Sequence, residues 1–312
     1  MKRGLGLDEE QSIFAKLWSG DGTMELPAPT GSYDIHISHS WRHERADITD
    51  VTVSAGETVE VTASLPTAVA RDGWLSLDSH LHAAPSNDGS LAMEDRLLTC
   101  AAAGVDLPVT TDHDRMADYR PLAAAMGLAQ RMNVLPGIEV SSLLRGHINL
   151  FPVEPDSSLL NGGSPDWPAL RGDTQDYIDL IRNAGTEHSL VHVNHGRSGL
   201  FSFGNYNPST GTYADDSFSW DFDLFELSNG ARVSSREELK RDYFSFLSLG
   251  ELKVPTGVSD SHSRTTPCGL AHTDVFLDSD DPGAVTPEAL REALGGLALA
   301  PGAPVAAPAP VA

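Results

Sequence analysis

One pattern constrains this chain more than any other: its predicted strands keep ending on residues able to bind a metal. From Trp74 onward short apolar runs alternate with helical stretches, the signature of an α/β domain. The first of these strands, 75–82, closes on Asp78-Ser79-His80-Leu81-His82. Side chains two apart on a strand share a face, so His80 and His82 point the same way. Two ordinary surface histidines would give the same spacing, and the motif decides little alone. The recurrence is what counts. Asp88, His113, Glu139, His147, His195, Asp260 and His262 stand at the ends of further predicted strands, and the set takes six of the twelve histidines.

The elements between them have their own signals. Ser90 caps a predicted helix to Ala103, with Gly104 as its stop. A strand at 105–111 leads into Asp112-His113-Asp114, and Pro121 sits near the first turn of the next helix. Strands then end at Glu139 and span 147–153, followed by a loop at 154–172 and a helix at 175–184. The strand at 189–194 delivers His195. After it, the loop 196–219 carries Phe201, Phe203, Tyr206, Tyr213 and Phe218, and loops of this length are usually functional. A strand at 222–227, a capping box Ser235-x-x-Glu238, a strand at 254–259, another at 271–277 and a helix from Thr286-Pro287 complete the run. Ahead of it, residues 1–25 read as a lead-in and 26–70 as a small antiparallel β domain. The β domain rests on alternation at Tyr33, Ile35 and Ile37, at Val51 and Val53, and at Val59 and Val61, with a hairpin at Ala55-Gly56-Glu57. His36, His39 and His43 read as solvent-facing. The main domain is 71–297, and 298–312 is an Ala/Pro-rich tail.

Composition removes several function classes. Lys+Arg 21 against Asp+Glu 44 gives a net charge of −23, which repels a phosphate backbone and excludes nucleic acid as a large partner. No apolar run reaches membrane-spanning length and no signal peptide is visible, so the expectation is a cytoplasmic protein without a membrane partner. Cys100 and Cys268 have no metal-site spacing and read as free thiols. There is no Gly-rich phosphate loop, no Gly-x-Ser-x-Gly elbow and no Cys nucleophile with a local partner, which disfavours acyl transfer through a side chain.

Nine nitrogen and oxygen donors are too many for one tetrahedral ion. They suit two or three divalent ions sharing a carboxylate, with Glu139 as the bridge, and imidazole with carboxylate points to Zn, Mn or Fe. Donors at strand C-terminal ends also match where (β/α) barrels build active sites.

Taken in order, Asp78-Ser79-His80-Leu81-His82, Asn87-Asp88-Gly89, Thr111-Asp112-His113, Gly137-Ile138-Glu139-Val140-Ser141, Gly146-His147, Asn194-His195-Gly196-Arg197 and Ser259-Asp260-Ser261-His262 resemble the motifs of the PHP (polymerase and histidinol phosphatase) superfamily. Gly73-Trp74 and Phe225-Glu226-Leu227-Ser228-Asn229-Gly230 resemble its CehA/McbA-like metallohydrolase branch. The resemblance covers roughly residues 30 to 290. It implies a distorted (β/α)7 barrel of PHP type and a binuclear or trinuclear site with His80, His82, Asp88, His113, Glu139, His147, His195, Asp260 and His262 as metal ligands. Two departures touch the substrate wall: Asn194-His195-Gly196 stands where relatives often have Ala-His-Pro, and Ser79 and Ala83 where Leu and Thr are common. The loop at Asp88 carries an extra residue.

The expected chemistry follows from the metals. A coordinated water has its pKa lowered to about 7, giving hydroxide at neutral pH. Asp260 is expected to orient the nucleophile and accept its proton, and His262 or His195 to protonate the leaving group. Arg197 is expected to pair with a substrate anion, and Phe201 and Tyr206 to line the pocket. Asp78 and Asp112 are expected to fix imidazole tautomers from behind. The first expectation is therefore a phosphoesterase on small organic phosphate mono- or diesters. A carboxylic or carbamate ester hydrolase, as the branch resemblance implies, is the second. A non-catalytic metal-binding scaffold is the alternative from another class.

Overall fold

The computed structural model describes residues 14–230 and 233–295. The start of the lead-in and the tail at 298–312 lie outside the described residues. Two strands come first: β1 (Gly31–Ile37) and β2 (Ala46–Val53) pair antiparallel, Tyr33 against Val51 and Ile37 against Ala46. The third strand expected at Val59 and Val61 does not form, because Val59 finds no core and stays 40% exposed. Arg42 fastens this unit to the main body through Trp74 O at 3.2 Å and Asp274 Oδ1 at 2.7 Å. His36 pairs with Asp47 on the exposed side.

The main body runs β3 (Trp74–Leu81), α1 (Met93–Ala103), β4 (Leu107–Thr110), α2 (Arg120–Ala125), β5 (Leu135–Pro136), β6 (Ile138–Ser142), β7 (Gly146–Phe151), α3 (Thr174–Arg182), β8 (Leu190–Val193), α4 (Leu200–Phe203), β9 (Leu224–Asn229), α5 (Val233–Leu249), β10 (Val254–Val258), β11 (Thr273–Phe276) and α6 (Pro287–Gly295). Its strands form two sheets, ordered β11-β3-β4-β5 and β10-β9-β8-β7-β6. The β3-β4-β5 and β8-β9-β10 ladders are parallel, whereas β6-β7-β8 and β11-β3 are antiparallel. The mixed α/β fold is thus as expected, but pairing does not close a seven-stranded barrel. Beyond the ladders, the sheets are bridged at Leu81–Ser261 and His113–Glu139. β5 explains part of the gap: it is two residues long and ends on Pro136, which has no N–H to offer another rung.

Leu75, Leu77, Leu107 and Val109 of one sheet pack on Phe151, Leu190 and Leu224 of the other. A second core lies between the five-stranded sheet and its helices, with Ile138, Ile148, Phe225 and Phe246 at its centre. Helix ends differ from expectation in instructive ways. α1 starts at Met93 and takes no side-chain cap, so Ser90 is not its cap, while Gly104 does close it in the left-handed region at φ 68°. A Cβ there would sit 2.4 Å from the Ser40 side chain. α3 is held by a capping box between Asp173 and Asp176. α5 begins at Val233, which puts Ser235 inside its first turn and not at a cap.

Cys100 and Cys268 are not free thiols: they form a disulfide, with Cα atoms 5.2 Å apart across 168 residues of sequence. The bond fastens α1 to the segment following Asp260 and His262. Closing so long a loop is expected to stabilise the fold by about 2–4 kcal/mol. Denaturation with and without a phosphine reductant checks this. The midpoint should fall on reduction and match that of a Cys100→Ser/Cys268→Ser double variant; an unchanged midpoint contradicts it. Among the described residues no helix is long and apolar enough to cross a membrane.

Candidate metal centre

β3 brings His80 and His82 to one face, as their spacing requires, and buries them to 0% and 1% exposure. β6 delivers Glu139 opposite them, equally buried. His80 Nε2 and His82 Nε2 each lie 3.3 Å from a Glu139 oxygen. The same carboxylate is 2.9 Å from His113 Nδ1, 3.1 Å from His147 Nδ1 and 3.5 Å from His195 Nε2. Glu139 is the hub of five imidazoles. Asp260 closes one side, its Oδ1 at 3.4 Å from His80 Nε2 and from His262 Nδ1, and 3.6 Å from His82 Nε2. Asp88 closes another, with Oδ2 at 3.3 Å from His113 Nε2 and 3.2 Å from His262 Nε2.

Three overlapping donor groups result: His82, Asp88, His113 and His262; His80, His82 and Glu139; His113, Glu139 and His147. Their fit to metal is tested by what the buried atoms lack. His80 Nε2 and His82 Nε2 are sealed from solvent, yet neither has a hydrogen-bond partner. Buried polar atoms are normally paired, and an orphan needs a reason. A shared ion supplies one. Electrostatics divide the rings: burial opposes a charge on His80, yet Asp260, Glu139 and Glu226 raise it well above the usual imidazole range. Burial, followed by the neighbouring His80, His262 and His113, pushes His82 well down, which keeps a lone pair free on its ring. Burial would raise Glu139, but His80 and the hydrogen bonds from His113, His147 and His195 hold it well below the usual carboxylate range.

The groups that orient the rings are not the ones expected. Asp78 accepts from the backbone N–H of Ser259 at 3.0 Å and of Gly269 at 2.8 Å. Asp112 accepts from Ala83 N at 2.9 Å and from the Tyr119 hydroxyl at 2.8 Å. Both therefore fix backbone segments and not imidazole tautomers. The rings are held instead by Glu226 on His80 Nδ1, Ser86 on His82 Nδ1 at 3.0 Å and Ser141 on His113 Nδ1 at 2.5 Å. Asn194 donates to Glu139 Oε1 at 2.7 Å and to Asn149 Oδ1 at 2.7 Å. Of these, Glu226, Asn194 and Ser141 stand inside the quoted motifs, where a signal existed. Ser86 and Asn149 gave none. His195 and Asp260 sit at φ 29° and 49°, conformations that cost about 1–3 kcal/mol each and gather at functional sites.

The expected substrate side chains are placed elsewhere. Arg197 Nε donates to Asp242 Oδ2 at 2.7 Å, its second nitrogen also contacts Asp242, and a third donates to Tyr206 O at 3.1 Å. Asp242 on α5 is fully buried, so this guanidinium is a structural fork and not an anion anchor. Phe201 and Tyr206 are 0% and 3% exposed, packed among Phe218, Phe222, Phe225 and Phe246. They are core, not pocket wall. His192 packs against Phe151 and contacts Thr256 Oγ1 at 2.8 Å, outside the donor groups.

No family model and no curated protein matches the sequence. Solved structures do align. One is a two-domain protein from Bacteroides vulgatus containing a predicted PHP-like metal-dependent phosphoesterase, at 20% identity and TM-score 0.49, with 72% of this chain and 63% of that chain covered. The chain thus spans under two thirds of that protein's length. An amidohydrolase from Chromobacterium violaceum aligns at 16% identity and TM-score 0.40, covering 62% of this chain and 89% of that one. A candidate metal-dependent phosphoesterase from Bifidobacterium adolescentis aligns at 15% identity and TM-score 0.43, covering 70% and 95%. The donor set, and not these likenesses, carries the functional weight.

Proposed function

We propose that the chain is a metal-dependent hydrolase of ester bonds, acting first on small organic phosphate mono- or diesters. The observation that carries this is Glu139, one buried carboxylate among five imidazoles, with His80 Nε2 and His82 Nε2 left unpaired beside it. Two or three Zn, Mn or Fe ions suit these nitrogen and oxygen donors. His80, His82 and Glu139 would hold one, the Asp88 group a second, and His113, Glu139 and His147 border a third. When bound, such ions supply Lewis acidity and a source of hydroxide near neutral pH.

The remaining roles fall to the chain's own groups. Asp260 is 12% exposed at its side chain, and Asn229 holds its Oδ2 at 3.0 Å, which turns Oδ1 toward His80, His82 and His262, where it would orient the attacking water and receive its proton. His262 and His195 are 30% and 18% exposed at their side chains and stand on the open side, suited to protonate a departing alkoxide. The CehA/McbA-like resemblance and one structural observation favour a second reading, hydrolysis of neutral carboxylic or carbamate esters. With Arg197 held by Asp242, the mouth loses the cation assigned to a substrate anion.

The test is nitrophenol release from a phosphodiester, a phosphomonoester and a carboxylic ester by Mn- or Zn-loaded protein, with and without chelator. Chelator-sensitive phosphoester turnover should dominate. Dominant carboxylic ester turnover moves the protein to the second reading. No turnover from a metal-loaded, folded chain leaves a metal-binding scaffold.

A further inference from the structure

We propose that Glu226 divides the centre into unequal positions, making the one at His80, His82 and Glu139 tight and the one at Asp88 exchangeable; this rests on the metal-dependent reading above. The carrying observation is an asymmetry behind the rings. Glu226 Oε1 lies against His80 Nδ1, on the side turned away from the donors. Neutral oxygens contact the Nδ1 atoms of four others: the hydroxyls of Ser86, Ser141 and Ser198 for His82, His113 and His195, and the Asp260 carbonyl for His262. The carboxylates that also face an Nδ1 are ligands themselves: Glu139 for His113 and His147, and Asp260 for His262. Among the six ligand histidines, His80 alone has a carboxylate outside the ligand set against its Nδ1. Such a carboxylate makes the imidazole a stronger donor and fixes its orientation, and losing one typically weakens metal binding 10–100-fold.

The other Glu226 oxygen extends the effect. It accepts from the His195 backbone N–H at 2.6 Å and from Asn229 Nδ2 at 2.9 Å. Asn229 Nδ2 also donates to Asp260 Oδ2 at 3.0 Å. One buried carboxylate thus orients ligands arriving from β3, from the end of β8 and, through Asn229, from the end of β10. Asp260 Oδ1 lies 3.4 Å from His80 Nε2, and His195 Nε2 lies 3.5 Å from Glu139 Oε1. Exposure divides the centre along the same line. His80, His82 and Glu139 are at most 1% exposed, whereas the side chains of Asp88 and His262 are 50% and 30% exposed. An ion at Asp88 meets solvent and is free to exchange; an ion between His80 and Glu139 is enclosed.

The experiment is Co2+ binding to the metal-stripped protein in competition with a chromophoric chelator, read as stoichiometry, affinity and visible absorption. Wild type should show a tight and a weaker class. Glu226→Gln should weaken the tight class by 10–100-fold, with a changed spectrum, and leave the weaker class unmoved. Asp88→Asn, at a half-exposed position that tolerates change, should remove the weaker class alone. The division is overturned by a single class in wild type, by Glu226→Gln weakening the Asp88 class, or by Asp88→Asn removing the tight one. A folded wild type that takes up no Co2+ overturns the metal-dependent reading itself.

Discussion

Glu139→Gln is expected to give a folded chain that no longer retains its full metal complement and has lost hydrolytic turnover by about a thousandfold or more. The amide keeps the shape of the carboxylate but not its charge. In the native chain that charge faces five imidazoles within 3.5 Å. Each donor group containing Glu139 loses an anionic ligand, so two of the three groups fail together. Without bound metal a water loses the acidity that brings its pKa to about 7, and hydroxide at neutral pH becomes scarce. Thermal unfolding, bound metal and phosphodiester turnover are the readouts. A variant with wild-type metal content and turnover contradicts the account of Glu139 as bridge.

Arg96→Ala is expected to cost about 3–5 kcal/mol of stability, because it strands three buried acceptors at about 1–3 kcal/mol each. Arg96 is 1% exposed, and although burial lowers its pKa to about 10 it stays charged at neutral pH. Its guanidinium donates to His82 O at 2.8 Å, Ser261 Oγ at 2.6 Å and Ser261 O at 2.7 Å. It thereby clamps the end of β3 to the segment bearing Asp260 and His262. Asp78 and Asp112, both buried, lie within its electrostatic reach. At roughly 2–4 °C per kcal/mol, the melting temperature should fall by about 6–20 °C. A fall under about 2 °C contradicts the clamp.

The ligands were legible because they follow strand ends. His80 and His82 needed only the two-residue period of a strand, and Glu139 and Asp260 stood at the end of apolar runs. What was not legible depends on contacts far apart in sequence. Glu226 lies in a quoted motif, but its contact with His80 crosses 146 residues. The Arg197–Asp242 fork joins a loop to α5 across 45 residues, so the arginine reads as free until the helix is placed. Cys100 and Cys268 have no local signal at all. The aromatic loop misled for a different reason. Its length and its rings suggest a functional loop that lines the pocket, but large apolar rings gain more from burial than from lining a wet cleft, and Phe201 and Tyr206 went to the core. Barrel closure failed at β5, where a two-residue strand ending in Pro136 stops the ladder.

The measurement that tests the central claim most directly is the metal content of the purified, folded chain after exposure to Zn2+ or Mn2+ and removal of loosely held ions. At least two divalent ions per chain before that removal and at least one after it, with fewer in Glu139→Gln, is the predicted result. Less than one ion per folded chain contradicts a metal centre built on Glu139.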